Sequence, residues 1–208
     1  MLEGRWISVT AEGEATVAPD MAMVSLSVTG TGKELGPTRD DVNRRASAVL
    51  DRLREHGVAE ADLSAPDVAI HPEYDHRRGQ RLIGYRVVRR MNAKVRDLDQ
   101  LGGVLDGIVA AGANEMQGAE MTASDPSAAE HEALRAALAG ARAKAAALAE
   151  ASGGKLGEVQ RIEEEPDHGP PMPRMRMMAM GESADVPTEV AAGDLTVTRR
   201  VRAWFALE

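Results

Sequence analysis

Residues 82–112, LIGYRVVRRMNAKVRDLDQLGGVLDGIVAAG, change hydrophobic period part-way along, and that change decides the class of fold. From 82 to 95 the apolar positions alternate, with Ile83, Tyr85, Val87, Met91, Ala93 and Val95 on one side, the two-residue period of a strand with one buried face. Arg89 falls on that same side, so either the strand bulges there or the arginine reaches a partner, because an unpaired buried charge is costly. From Leu98 onward Leu101, Val104, Leu105, Ile108 and Val109 recur at the helical period, with Asp97 as cap and Gly112 as stop. A strand feeding a helix through two residues is the unit from which mixed α and β domains are built.

The same alternation of periods extends in both directions. Ile7 and Val9 against Ser8 and Thr10, then Ala15 and Val17, predict one strand, and Val24, Leu26 and Val28 a second, with Pro19 and Asp20 as the turn of an N-terminal hairpin. Val42, Ala46, Val49, Leu50 and Leu53 form one stripe of a helix over about 39–56, opened by Thr38 and Asp41 in a capping-box-like start and closed by Gly57. Val68 and Ile70 mark a short strand, and Met116 to Ala123 a weaker one. Asp125 and Pro126 open the longest helix, rich in alanine, whose buried side is read as Leu134, Leu138, Ala141, Ala145 and Leu148 and whose stop is Gly153 and Gly154. Val159 and Ile162 anchor a short strand, residues 166 to about 193 lose all periodicity, and residues 195–207 close the chain with a long alternating strand.

The order over 21–123 is βαββαβ, the split pattern of a ferredoxin-like core. The expected fold is therefore α+β: that core, and a second layer or lobe made from the N-terminal hairpin and residues 125–208, the two interleaved in one region over residues 5–208.

Composition narrows the function. The chain has 208 residues, 25 basic against 33 acidic side chains and a net charge of −8, which argues against a general nucleic-acid binder. A chain of this size buries about 70% of its unfolded surface, so no metal or disulfide staple is needed. Without cysteine there is no disulfide framework, thiolate zinc site or cysteine nucleophile. No run approaches the roughly 20 apolar residues of a spanning helix, which predicts no integral membrane segment. The opening MLEGRWISVTAEG lacks the apolar run of an export signal, so the expected location is the cytoplasm as the chain stands, or the periplasm or envelope if a signal has been removed.

Three segments have residue types that do chemistry. In HPEYDHRRG, residues 71–79, an extended chain projects His71, Glu73 and Asp75 to one side, a possible nitrogen and two carboxylates for a divalent cation, although polar residues at a turn are ordinarily solvated. GTGKELG, residues 30–36, lacks the spacing of a phosphate loop and reads as a turn, while His56 and His131 read as members of solvated helix faces. PDHGPPMPRMRMMAMGE, residues 166–182, gathers Met172, Met175, Met177, Met178 and Met180 near His168. Such thioethers pack a flap, absorb oxidants as sulfoxides or bind Cu(I), and Arg174 and Arg176 disfavour the cation. No catalytic, cofactor-binding or metal residue is assigned from these patterns.

The stretch DLSAPDVAIHPEYDHRRGQRLIGYRVVRRMNAKVRDLDQLGGVLDGIVAAGANEMQG, residues 62–118, resembles the core of the SIMPL-domain proteins, bacterial relatives of an oxidative-stress-defence protein and a periplasmic immunogenic protein. GEATVAPDMA at 13–22, the PEYD turn, the GYRV strand start and the late proline and methionine segment carry the resemblance over nearly the whole chain, though His76 stands where relatives often have an aromatic residue. The resemblance implies a protein without established catalytic activity, exported, linked to protection against oxidative stress and able to build ring or channel-like assemblies. The expectation is thus a non-enzymatic, self-assembling protein with a protective or scaffolding role, its contacts made by the alanine-rich helix and the methionine loop. The alternative is a methionine-loop binder of Cu(I) or oxidant.

Overall fold

Strands and helices follow one another as β1 (Trp6–Val17), β2 (Met21–Gly32), α1 (Leu35–Glu55), β3 (Leu63–Asp75), β4 (Arg81–Val95), α2 (Leu101–Ala110), β5 (Glu115–Thr122), α3 (Ser127–Ala151), β6 (Leu156–Glu164), β7 (Met172–Pro173) and β8 (Leu195–Leu207). The computed structural model describes residues 4–75, 79–165, 172–173 and 193–208. The class is α+β, and among the described residues all strand neighbours are antiparallel.

The chain divides into two units. One is built from Asp20–Thr122 and runs βαββαβ, its sheet ordered β3-β4-β2-β5. Ala22, Val24, Leu26 and Val28 of β2 and Val87, Met91, Ala93 and Val95 of β4 are buried with Val42, Ala46, Val49 and Leu53 of α1 and Leu101, Val104, Leu105 and Ile108 of α2. Both periodicities of the sequence thus meet in a single core. Arg89 sits opposite Val28 in an unbroken β2–β4 register, so there is no bulge against β2. Its guanidinium instead reaches across to α1, where Nη1 donates to Asn43 Oδ1 at 3.0 Å, while Nε finds no partner among the described residues.

The start of α1 differs from the expected capping box. The helix begins one turn earlier, at Leu35, with Pro37 inside the first turn where its missing N–H would have no intrahelical acceptor. Thr38 does not cap the helix but donates from Oγ1 to the Glu34 carbonyl at 2.7 Å, and Asp41 pairs with Arg44 and Arg45. The expected stops are present: Gly57, Gly112 and Gly153 have φ of 82°, 114° and 77°, conformations that favour glycine.

An ion pair ties the entry of β3 to the exit of β4. Arg96 donates from Nε and Nη2 to the two Asp62 oxygens at 2.7 and 2.8 Å, and these hydrogen bonds hold the Asp62 carboxyl below its ordinary value of 3.8. A carboxyl lowered in the folded chain stabilises it at neutral pH, and that contribution fades as pH falls through the unfolded value and on through the lower folded one. Urea midpoints measured from pH 6 to pH 2.5 are expected to fall less steeply for Asp62→Asn than for the parent chain. Parallel profiles would show that the pair adds nothing.

The other unit takes its β-strands from both ends of the chain. β8 lies between β1 and β6, pairing with β1 from Trp6↔Ala206 to Val17↔Leu195, and β7 pairs with the start of β8. The N-terminal hairpin expected from Pro19 and Asp20 is therefore absent: β1 and β2 belong to different sheets, because each has an edge-to-edge partner elsewhere with a matching apolar face. On this sheet lies α3, and its buried stripe is Ala129, Ala133, Ala137, Ala141, Ala145 and Ala149. Leu138 and Leu148 are exposed, the second at 51%, and Leu134 is partly buried. The backbones decide this. A Cβ at Gly13 of β1 would strike the Ala133 carbonyl oxygen and the Ala137 nitrogen, so the helix rests close on the sheet and only small side chains fit beneath it.

Candidate functional site

In each unit the sheet is wider than the helices that cover it. Every fully buried strand residue of the first core comes from β2 or β4, with Leu63 and Ala65 of β3 and Ala119 and Met121 of β5 only partly covered. Further along β3, Ile70 stands opposite Val87 and Val68 opposite Arg89, on the face that carries the helices, yet both are exposed. Tyr74 of β3 and Leu82 and Ile83 of β4, near the hairpin end, are exposed as well. In the second unit α3 rests on β1 and β8, and β6 leaves Val159 and Ile162 exposed at 43% and 48%. Isolated surface apolar residues are ordinary, but a run of them along an edge strand offers both apolar area and unpaired backbone groups.

The opposite face of the second sheet is polar and aromatic. Trp204 of β8 lies between Arg161 of β6 and Arg202, whose guanidinium carbons stand 5.1 and 5.5 Å from its ring, distances at which a cation is attracted to an indole face. Arg161 also pairs with Glu163, and Arg200 with Glu12. From the helix side Arg199 reaches Glu130 of α3 at 2.5 Å. The rest of the acidic run, Glu164 and Glu165, is matched by arginines of β8, with Arg200 3.7 Å from Glu165 and Arg199 3.9 Å from Glu164.

The segments singled out by chemistry fare differently. His71, Glu73 and Asp75 lie on β3, but the β3–β4 register slips between Glu73 and Tyr74 and Glu73 is engaged by Arg86 at 2.8 Å. Among the described residues no three His, Cys, Asp or Glu side chains stand together in a way that would hold a metal ion. Gly30 and Gly32 lie in β2, and His56 packs its ring over Gly103 and Gly107 of α2. His131 is on the exposed face of α3. The methionine segment falls outside the described residues except for the two-residue strand Met172–Pro173. The alanine stripe, expected as a contact surface, is used within its own unit. Lowered carboxyls occur at Asp41, Glu60, Asp62 and Asp125, and the leading cause in each is a side-chain hydrogen bond, from Arg44, Arg54, Arg96 and Ser127 respectively. These are structural pairs and turns rather than a poised acid and base.

What the fold and its surfaces define is an α+β protein whose most distinctive exposed features are sheet edges. Residues 7–205 match the family model described as SIMPL, protein of unknown function (DUF541), and the chain belongs to that family. It is similar to the 26 kDa periplasmic immunogenic protein of Brucella melitensis biotype 1, with 32% identity over 213 residues covering 97% of this chain and 84% of the relative. It is also similar to the proteins called uncharacterized protein YggE in Edwardsiella ictaluri and Escherichia coli K12. Identity is 29% over 185 residues for the first (88% of this chain, 77% of the relative) and 28% over 177 residues for the second (85% and 72%). Among the described residues no helix is long and apolar enough to cross a membrane.

Proposed function

We propose that this chain is a non-enzymatic protein of the bacterial periplasm or envelope that associates with copies of itself and serves a protective role in oxidative stress or a scaffolding one. The observation that carries the reading is the exposed apolar side chains of the edge strands, Val68, Ile70 and Tyr74 of β3 in one unit and Val159 and Ile162 of β6 in the other. Such runs on an edge favour covering by another chain. The periplasmic location is supported by the similarity to the Brucella protein, a periplasmic immunogenic protein.

Size-exclusion chromatography with light scattering on the full chain at micromolar concentration is expected to give a mass above that of one chain. The double variant Val68→Ser, Ile70→Ser is expected to lower that mass while leaving the far-ultraviolet circular dichroism unchanged. A parent chain that is strictly monomeric would sink the reading. For the protective role, survival of a strain lacking the protein under peroxide is expected to recover with the parent gene, and equal survival with and without it would remove that part.

A further inference from the structure

We propose that two copies of this chain pair through β6, antiparallel about a two-fold axis at Ile162, so that the β1-β8-β6 sheet of one continues into that of the other. This rests on the self-association proposed above and names one of its surfaces.

Among the described residues the four sheet edges are not equally open. On β1 the Thr10 carbonyl accepts from Lys144 Nζ at 3.0 Å, a lysine set at the edge. Along β3 stand Pro66 and Pro72, which have no N–H to offer a neighbour. The short β5 slips register against β2 between Val24 and Leu26, with Gly118 at φ 103°. β6 contains neither proline nor lysine, and although its register slips twice, both slips lie before Arg161. From Arg161 to Glu164 it pairs residue for residue with β8.

Backbone direction follows from one bond. Glu165 N donates to the Arg200 carbonyl at 3.0 Å. In an antiparallel ladder the groups alternate, so Glu163 and Arg161 turn toward β8 while the N–H and C=O of Ile162 and Glu164 turn outward. With the axis at Ile162, its outward N–H and C=O exchange with those of the partner's Ile162, apolar side chain meets apolar side chain, and Arg161 comes opposite the partner's Glu163. Moving the axis one residue either way sets arginine against arginine or glutamate against glutamate, which opposes pairing. The strand is therefore complementary to itself in one register. That self-complementarity is the reason for naming a second copy as the occupant rather than an unrelated chain.

The absence of cysteine makes the test direct. Residues facing one another across a hydrogen-bonded antiparallel pair have Cβ atoms about 5.5 Å apart, wider than a relaxed disulfide but within the span of a short thiol-to-thiol cross-linker. Treated with a short bis-maleimide, the full chain with Ile162→Cys is expected to form mostly cross-linked dimer, while Thr10→Cys on β1 does not. Because the Ile162 N–H faces away from β8, Ile162→Pro is expected to keep the circular dichroism spectrum yet weaken association by at least about tenfold, the effect of losing edge hydrogen bonds. If the parent chain is dimeric or larger by light scattering and Ile162→Cys stays unlinked, pairing through β6 is wrong and self-association stands. A monomeric parent removes both.

Discussion

Replacing Gly13 by alanine is expected to cost about 3 kcal/mol of stability, the upper part of the range for overpacking a well-filled interior. One methyl group is enough because of what it meets. The added carbon would strike the Ala133 carbonyl oxygen and the Ala137 nitrogen, and the Ala136 carbonyl carbon lies 2.8 Å away. All three are backbone atoms of α3, so no rotamer change relieves the collision and the helix must lift. Lifting it loosens the whole alanine stripe from Ala129 to Ala149 against β1 and β8. For a chain of this length the loss corresponds to a fall in thermal midpoint of roughly 6–12 °C. Gly103→Ala is the control: its added carbon would meet only the His56 ring at 3.7 Å, an ordinary contact, and it stands in the first turn of α2. It is expected to be neutral or to stabilise by up to about 1 kcal/mol. A Gly13→Ala variant within 1 kcal/mol of the parent in urea unfolding would mean that the helix does not approach β1 as closely as described.

The second large effect is a contrast between two leucines that the sequence makes look alike. Leu53 on α1 has no exposed surface and belongs to the core of the Asp20–Thr122 unit, whereas Leu148 on α3 is half exposed. Leu53→Ala is expected to cost between about 2 and 5 kcal/mol, the transfer term plus a cavity that neighbouring Val49 and Ile108 cannot fill. Leu148→Ala is expected to change stability by no more than about 0.5 kcal/mol. Denaturant unfolding of both variants checks the pair, and equal costs would restore Leu148 to the buried side where periodicity first put it.

The two leucines show what local pattern reaches. In α1 the stripe from Val42 to Leu53 is read correctly because that helix packs on large side chains, so the most apolar line is also the buried one. In α3 the same rule chooses Leu138 and Leu148, but the line that is buried is the one that lets two backbones touch, and its alanines differ little in hydropathy from those around them. The signal that marks it is Gly13, more than a hundred residues away. The edge surface is equally hard to see. Val68 and Ile70, or Val159 and Ile162, read as the buried side of half-buried strands, and only the width of each sheet relative to its helices leaves them uncovered.

By itself the sequence determined the α+β class, the βαββαβ order of residues 21–123, the helix stops at Gly57, Gly112 and Gly153, and membership of the SIMPL family, since period, caps and positive-φ glycines are set within a few residues and a family pattern needs no coordinates. Only the tertiary structure decided that β1 pairs with β8 rather than β2, that alanines and not leucines lie beneath α3, and that β3 and β6 are edges with apolar faces left open. Those outcomes depend on which distant backbones approach and how much of a sheet a helix can cover, and neither quantity is a property of any local stretch of chain.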